Sequence, residues 1–211
     1  MLEEEDRRKK IILASASPRR REILKLLKLD FEVIEPKNCE EKQFKNPYRT
    51  VIDNSIIKAK NVYNYIKEHS LKKQDLYYGK EFLIAGFDTI IYMNKRYLGK
   101  PESIEQAIGF LNIFSGRVHK VVSGVCVLDS ISGRYCFTTE TTKVKFRKLT
   151  AEEIKAYIDK EDVLDKAGAY NIFGFGSLLV EKINGCFYNI AGLPVVKFAD
   201  LLERFEFNII G

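Results

Sequence analysis

The sequence has two histidines and four cysteines among 211 residues. Two histidines cannot build a His-rich metal centre. Cys39, Cys126, Cys136 and Cys186 include no C-x-x-C pair, and their spacing fits neither a zinc site nor a disulfide framework. Free, mostly buried thiols in a reducing compartment are expected. No apolar run reaches the roughly 18 residues that suggest a membrane-crossing helix, so no membrane partner is expected. No period of about 20 to 50 residues recurs, which argues against a repeat architecture. G-x-x-x-x-G-K-[ST] and G-x-G-x-x-G are both missing, so neither a Walker-type loop nor a dinucleotide fingerprint is expected. Neither histidine stands in a recognisable Ser/Cys–His–acid arrangement. The charged start, Glu3 to Lys10, resembles neither a secretory signal nor a transit peptide.

What is present is a globular composition. Hydrophobic residues make up 45% and charged residues 30%, which rules out disorder for the bulk of the chain. The length fits one domain or two small lobes sharing a core. Residues 1–10 are expected to be a disordered charged tail and 11–211 a single domain. Lys plus Arg number 35 against 29 Asp plus Glu, a net charge of +6. That excess suits an anionic partner, nucleic acid or a phosphorylated small molecule, or no partner at all.

Strands and helices alternate along the chain. Ile11 to Ala14 reads as a short buried strand, then Ser17 as an N-cap and Pro18 as the first helical residue. Ile23, Leu26 and Leu27 are expected to form the buried stripe of that helix. Glu35 to Arg49, with Pro36 and Pro47, reads as loop, and a second helix is expected over Val51 to Lys67. Glu81 to Met93 is a strand or strand pair turning at Asn94-Lys95. Ser103 with Gln106, and Thr150 with Glu153, form capping-box patterns. Between them, Val118 to Asp129 and Tyr135 to Phe146 read as paired strands around Ser132-Gly133. Leu178 to Ile183 is a further strand, and Pro194 opens a terminal helix to about Phe205. Interleaving of this kind predicts an α/β layered fold, and the hairpins predict a mixed sheet.

Four segments could carry chemistry. Ser15-Ala-Ser-Pro-Arg-Arg-Arg21 puts three arginines in the first turn of a helix. The helix dipole makes that end partially positive, so the arrangement costs stability unless an anion sits among them. Arg forks bind phosphate oxygens in pairs; the alternative is a solvated basic face. Asp88 lies inside the apolar run Phe82 to Met93, and an unpartnered carboxylate there is expensive to bury. It would be a general base, a metal ligand, or both; the alternative is a strand-end acid paired with a lysine or exposed at a bulge. Gly86 permits close backbone approach beside it. Gly99-Lys100-Pro101 would aim a lysine at a phosphate, or be a plain turn. Asp165-Lys-Ala-Gly-Ala-Tyr170 would hold a base or phosphate, or be a mobile loop.

These segments occur in a familiar order. Ser-Ala-Ser-Pro-Arg-Arg after a strand, Asp-Thr in an apolar strand, Gly-Lys-Pro, Ser115-Gly116-Arg117, Asp-Lys-Ala-Gly-Ala-Tyr and Gly192-Leu193-Pro194 resemble the Maf-like nucleotide pyrophosphatase family from about Ile11 to Phe205. The resemblance implies a three-layer α/β fold with a central mixed, elongated sheet and a cleft, similar to the inosine triphosphate pyrophosphatase type. It implies hydrolysis of a nucleoside triphosphate to monophosphate and pyrophosphate with Mg²⁺ or Mn²⁺, in the cytoplasm, as a house-cleaning activity and often in a homodimer. The family's proton acceptor falls on Asp88, its phosphate-contacting positions on Ser15, Arg20, Lys58 and Lys100, and a metal-binding acid on Glu40, or on Glu41 if the loop gap lies one residue later. The subgroup preferring dTTP and UTP carries Arg, Thr and Gln at three discriminating positions, here Arg19, Thr89 and Phe173. The subgroup acting on 7-methyl-GTP carries Trp, Gln and Glu there. Phe173 departs from both and would stack on a base. Phe87 replaces a residue that is usually small. Two rivals stand beside this reading: a nucleic-acid-binding protein gripping backbone phosphate, and a non-catalytic nucleotide sensor acting in cell division.

Overall fold

The structure, a computed structural model, describes residues 9–210. Most of the expected charged tail lies outside the described residues. Its last two residues do not: Lys10 opens the first strand, and Lys9 pairs with the Asp129 carboxylate.

The strands are β1 (Lys10–Ala14), β2 (Phe31–Val33), β3 (Phe82–Met93), β4 (Arg96–Leu98), β5 (Val118–Asp129), β6 (Tyr135–Phe146) and β7 (Val180–Asn184). The helices are α1 (Pro18–Leu26), α2 (Pro47–Glu68), α3 (Ile104–Phe114), α4 (Ala151–Ile158), α5 (Phe187–Ile190) and α6 (Val195–Glu203). Backbone pairing runs β2-β1-β3-β5-β6-β7, with β4 on β3. The β1 strand is parallel to β2 and β3, whereas β3/β4 and β6/β7 are antiparallel, so the sheet is mixed as the hairpins predict. The chain divides into two compact units, Met1–Asp88 with Ser123–Thr139 and Gly192–Gly211, and Thr89–Val122 with Glu140–Ala191.

In the first unit, β1 is an apolar strand whose Ile11 pairs with Phe31 on one side and Leu83 on the other. A strand buried on both faces needs no alternation, which is why KIILA reads as a continuous apolar run. Two glycines seat α2. A Cβ at Gly86 on β3 would lie 2.2 Å from the Ser55 carbonyl oxygen, and one at Gly124 on β5 would lie 2.1 Å from that of Val51. Only glycine lets a helix backbone come this close to strands. Ala59, Val62 and Ile66 of α2 then pack with Ile12, Phe82 and Ile84.

Two local expectations are corrected here. Helix α2 begins at Pro47, not Val51: Asn46 accepts hydrogen bonds from the Tyr48 and Arg49 amides, and proline fits the first turn, where its missing N–H has no partner to lose. On α1 the buried residues are Arg20, Ile23 and Leu24, and Leu26 is 68% exposed. The buried stripe therefore begins with an arginine and lies one turn earlier than the leucines suggest.

In the second unit, Asn94 and Lys95 both have positive φ and close the two-residue β3–β4 hairpin. Thr150 and Glu153 form the expected reciprocal capping box on α4. Ser103 caps α3, but the Gln106 side chain accepts from the Glu102 amide, one residue before the expected partner. The Asp165–Tyr170 segment is anchored: Ala167–Ala169 form a 3-10 turn and Ala169 and Tyr170 are buried. Val180–Asn184 is the strand read from Leu178 onward, because Gly174–Leu179 coil into a 3-10 turn first.

His119 sits in this core against Phe114, Phe146 and Tyr170, with Nε2 bonded to the Tyr170 hydroxyl at 2.9 Å. Burial lowers its pKa from 6.5 to about 3, so the imidazole is neutral at neutral pH. The unfolded chain takes up this proton first. The stability linked to it is thus full above 6.5 and is lost as pH falls towards 3. Urea unfolding at a series of pH values is expected to show a loss across that window that is shallower in His119→Phe.

Candidate active site

The contacts around Asp88 and the α1 arginines lie in the first unit. Asp88 occupies the middle of β3 and is 5% exposed. Its Oδ1 accepts from Lys58 Nζ at 2.7 Å and its Oδ2 from Asn54 Nδ2 at 3.2 Å. Asn54 and Lys58 are one turn apart on α2 and share the face that Gly86 and Gly124 draw onto the strands. The lysine partner foreseen as the plain alternative for Asp88 is present, but in a buried mid-strand setting rather than at a strand end.

Lys58 Nζ also lies 2.9 Å from Glu41 Oε1. The ammonium is therefore a cation held between two carboxylates, a position built of hard oxygen donors. Glu41 supplies that second acid; its amide bonds back to the Cys39 carbonyl, a γ-turn with Glu40 at its apex, and both glutamates are exposed. Among the described residues no group of three or more His, Cys, Asp or Glu is placed to hold a metal. Two carboxylates nevertheless suit Mg²⁺ or Mn²⁺, which take few protein ligands and complete their shell with water and phosphate oxygens.

The three arginines of α1 go to different places. Arg20 turns inward: Nε donates to the Gly192 carbonyl at 2.8 Å and Nη1 to Ser15 Oγ at 2.9 Å, with the guanidinium over the Phe87 ring. Burial pulls its pKa down to about 10 while Asp88 opposes the shift, so it stays cationic at neutral pH. Arg21 pairs with Glu35 at 2.5 Å. Arg19 is half-buried and makes no ion pair among the described residues. Ser15 Oγ also accepts from the Ser17 amide, which fixes the turn between β1 and α1. Phe87 is fully buried and packs edge-on against Phe198 of α6, so the bulk beside Asp88 faces core.

Ser15, Arg20, Lys58 and Asp88 thus fall in one unit, linked by hydrogen bonds or by the Arg20–Asp88 attraction. Thr89, Lys100 and Phe173 belong to the second unit. Thr89 follows Asp88 on β3, and Lys100 is exposed in the turn after β4. Phe173 stacks edge-on with Phe187, at 5.6 Å between centroids, in a groove of about 470 Å³ that also includes Ile172, Val180 and Ile183. The sequence marks Asn54 only by its four-residue spacing to Lys58.

The structure thus presents an α/β unit with a buried aspartate held between a lysine and an asparagine, near a second buried cation. The family model described as Maf-like protein matches residues 10–205, and the chain belongs to that family. It is 44% identical over 200 residues to a dTTP/UTP pyrophosphatase of Thermoanaerobacter sp. (strain X514), covering 95% of this chain and 98% of that one. It is 37% identical over 204 residues to a dTTP/UTP pyrophosphatase of Caldicellulosiruptor bescii, covering 96% and 98%. A protein of the same name from Clostridium perfringens is 36% identical over 204 residues, covering 95% and 100%.

Proposed function

We propose that this chain hydrolyses nucleoside triphosphates, dTTP and UTP first among them, to the monophosphate and pyrophosphate. The observation that carries the reading is the Asp88 carboxylate, buried in an apolar strand with both oxygens held, in a chain related at up to 44% identity to proteins named for that activity.

Asp88 is the general base. Each carboxylate oxygen has a second lone pair beyond the bond it accepts, so a water can donate to it while Lys58 and Asn54 hold it in place. The water oxygen bonds to the α-phosphorus as its proton passes to Asp88, the bond from that phosphorus to the bridging oxygen breaks, and pyrophosphate leaves. Ser15, Arg19, Lys58 and Lys100 are the substrate contacts, with Arg20 behind Ser15, and phosphoryl transfer asks mainly for such charge and positioning. Arg19 offers its charge directly to phosphate. Arg20 adds to the field and fixes Ser15. Asp88 and Glu41 would hold Mg²⁺ or Mn²⁺, which when bound neutralises phosphate charge. Thr89 and Phe173 select the base, with Phe173 and Phe187 offering it an aromatic face.

Residues 11–211 are one Maf-like domain, a reading supported by a family match over residues 10–205 that takes in most of both compact units. Four unpaired thiols suit a reducing cytoplasm, and no helix among the described residues is long and apolar enough to cross a membrane. A grip on nucleic acid is not favoured: Arg20 is turned inward, Arg21 is engaged by Glu35, and a buried acid lies beside them.

A panel of canonical and modified triphosphates with Mg²⁺ or Mn²⁺ tests the reading. Equal yields of monophosphate and pyrophosphate, fastest from dTTP and UTP and stopped by a chelator, are expected. Orthophosphate release would contradict it, as would binding without turnover, the behaviour of a sensor.

A further inference from the structure

We infer that Asn54 is a positioning residue that registers two separate parts of the site with one amide, orienting the base Asp88 and tying down the loop that carries Glu41. The inference deepens the pyrophosphatase reading and rests on it. Asn54 is 3% exposed, so its polar atoms have no bulk water to turn to. Both of its donors and one of the two lone pairs of Oδ1 are used. Nδ2 donates to Asp88 Oδ2 at 3.2 Å and to the Lys42 carbonyl at 3.1 Å, and Oδ1 accepts from the Lys42 amide at 2.8 Å. The two-point bond to the Lys42 backbone fixes the loop one residue after Glu41. The remaining N–H fixes the Asp88 carboxylate from the side opposite Lys58.

Lys58 alone would leave that carboxylate free to rotate about its Oδ1 contact. A second donor at Oδ2 sets its plane, and with it the direction in which a lone pair meets the water. Catalysis is sensitive to such angles, and misplacement by about 1 Å costs on the order of 10²-fold. The groups around Asp88 from each element are Lys58 on α2, Arg20 on α1 and Glu41 on the loop, all charged. Asn54 is the neutral donor among them: it can hold the carboxylate without competing for substrate phosphate as a further cation would.

The same loop has a second anchor that does not touch Asp88. The Phe44 amide donates to Thr50 Oγ1 at 2.9 Å. This supplies the control, because losing Thr50 loosens the loop and leaves the carboxylate held. Asn54→Leu, Asn54→Ala and Thr50→Val are compared with the full-length wild type on dTTP, with kcat, KM and thermal midpoint measured for each. Asn54→Ala removes the amide without adding charge or bulk beside Asp88, so it serves even if Asn54→Leu fails to fold. The expected result is a fall in kcat of about tenfold or more in the folded Asn54 variants with KM within about threefold, while Thr50→Val, which loosens the Glu41 loop alone, raises the Mg²⁺ requirement and keeps kcat within about twofold at saturating Mg²⁺. A kcat loss below fivefold in the Asn54 variants overturns the inference, and so does an equal loss in Thr50→Val. An inactive wild type would instead sink the parent reading and this inference with it.

Discussion

Asp88→Asn is expected to lower dTTP turnover by about 10²- to 10⁴-fold, the range that a positioned general base supplies. The substitution removes the proton acceptor and, with it, the charge paired with Lys58 and the carboxylate's place in the metal site. The amide has the size of the carboxylate and keeps one oxygen to accept from Lys58, with its NH2 then facing the Asn54 donor, while Lys58 keeps its second acid, Glu41, at 2.9 Å. The melt should therefore stay cooperative, and the loss should appear in kcat rather than in the yield of folded protein. Parallel measurement of thermal unfolding and turnover checks both halves. A loss under tenfold in a folded variant would mean that Asp88 is a buried partner for Lys58 and no more.

Gly86→Ala should damage activity out of proportion to its size. The added methyl would lie 2.2 Å from the Ser55 carbonyl oxygen and 2.9 Å from the Ala59 nitrogen, both backbone atoms that cannot rotate away. Helix α2 must move off β3. Overpacking of this kind costs about 1–3 kcal/mol of stability. The larger effect follows from what α2 carries. Asn54 and Lys58 move with it and their bonds to the two Asp88 oxygens stretch, so a kcat/KM loss on the order of 10²-fold is expected even where most of the protein is folded. Gly109→Ala on α3 is the control, since a methyl there meets nothing within 4 Å. It should leave activity unchanged and hold or slightly raise the melting temperature, because alanine costs less than glycine inside a helix. Equal effects of the two substitutions would contradict the seating role of Gly86.

The parts of the fold governed by local pattern were legible in the sequence. The β5 and β6 strands have the bounds that their residue pattern and the Ser132-Gly133 turn predict, and the Thr150–Glu153 box opens α4. What was not legible depends on partners distant in sequence. Arg20 occupies a buried position on α1 because Ser15 and Gly192 receive its N–H groups, and the second lies 172 residues away. No local rule places an arginine in a core stripe, and the apolar spacing alone points Leu26 inward instead. Pro47 reads as loop until Asn46 is seen to cap the helix behind it.

The site divides in the same way. Asp88 stood out because a carboxylate in an apolar run needs a partner, and Gly86 because a strand glycine invites close approach. Asn54 gave no such warning: an asparagine in a long polar-faced helix is unremarkable until the loop from Glu35 folds back upon it. Which of Glu40 and Glu41 approaches Lys58 likewise depends on how the loop folds.

Hydrolysis of dTTP in water enriched with oxygen-18, with the products separated and weighed, tests the central claim most directly. If Asp88 directs water at the α-phosphorus, one labelled oxygen appears in the monophosphate and none in the pyrophosphate. Label in pyrophosphate or in orthophosphate would place the attack elsewhere and contradict the account.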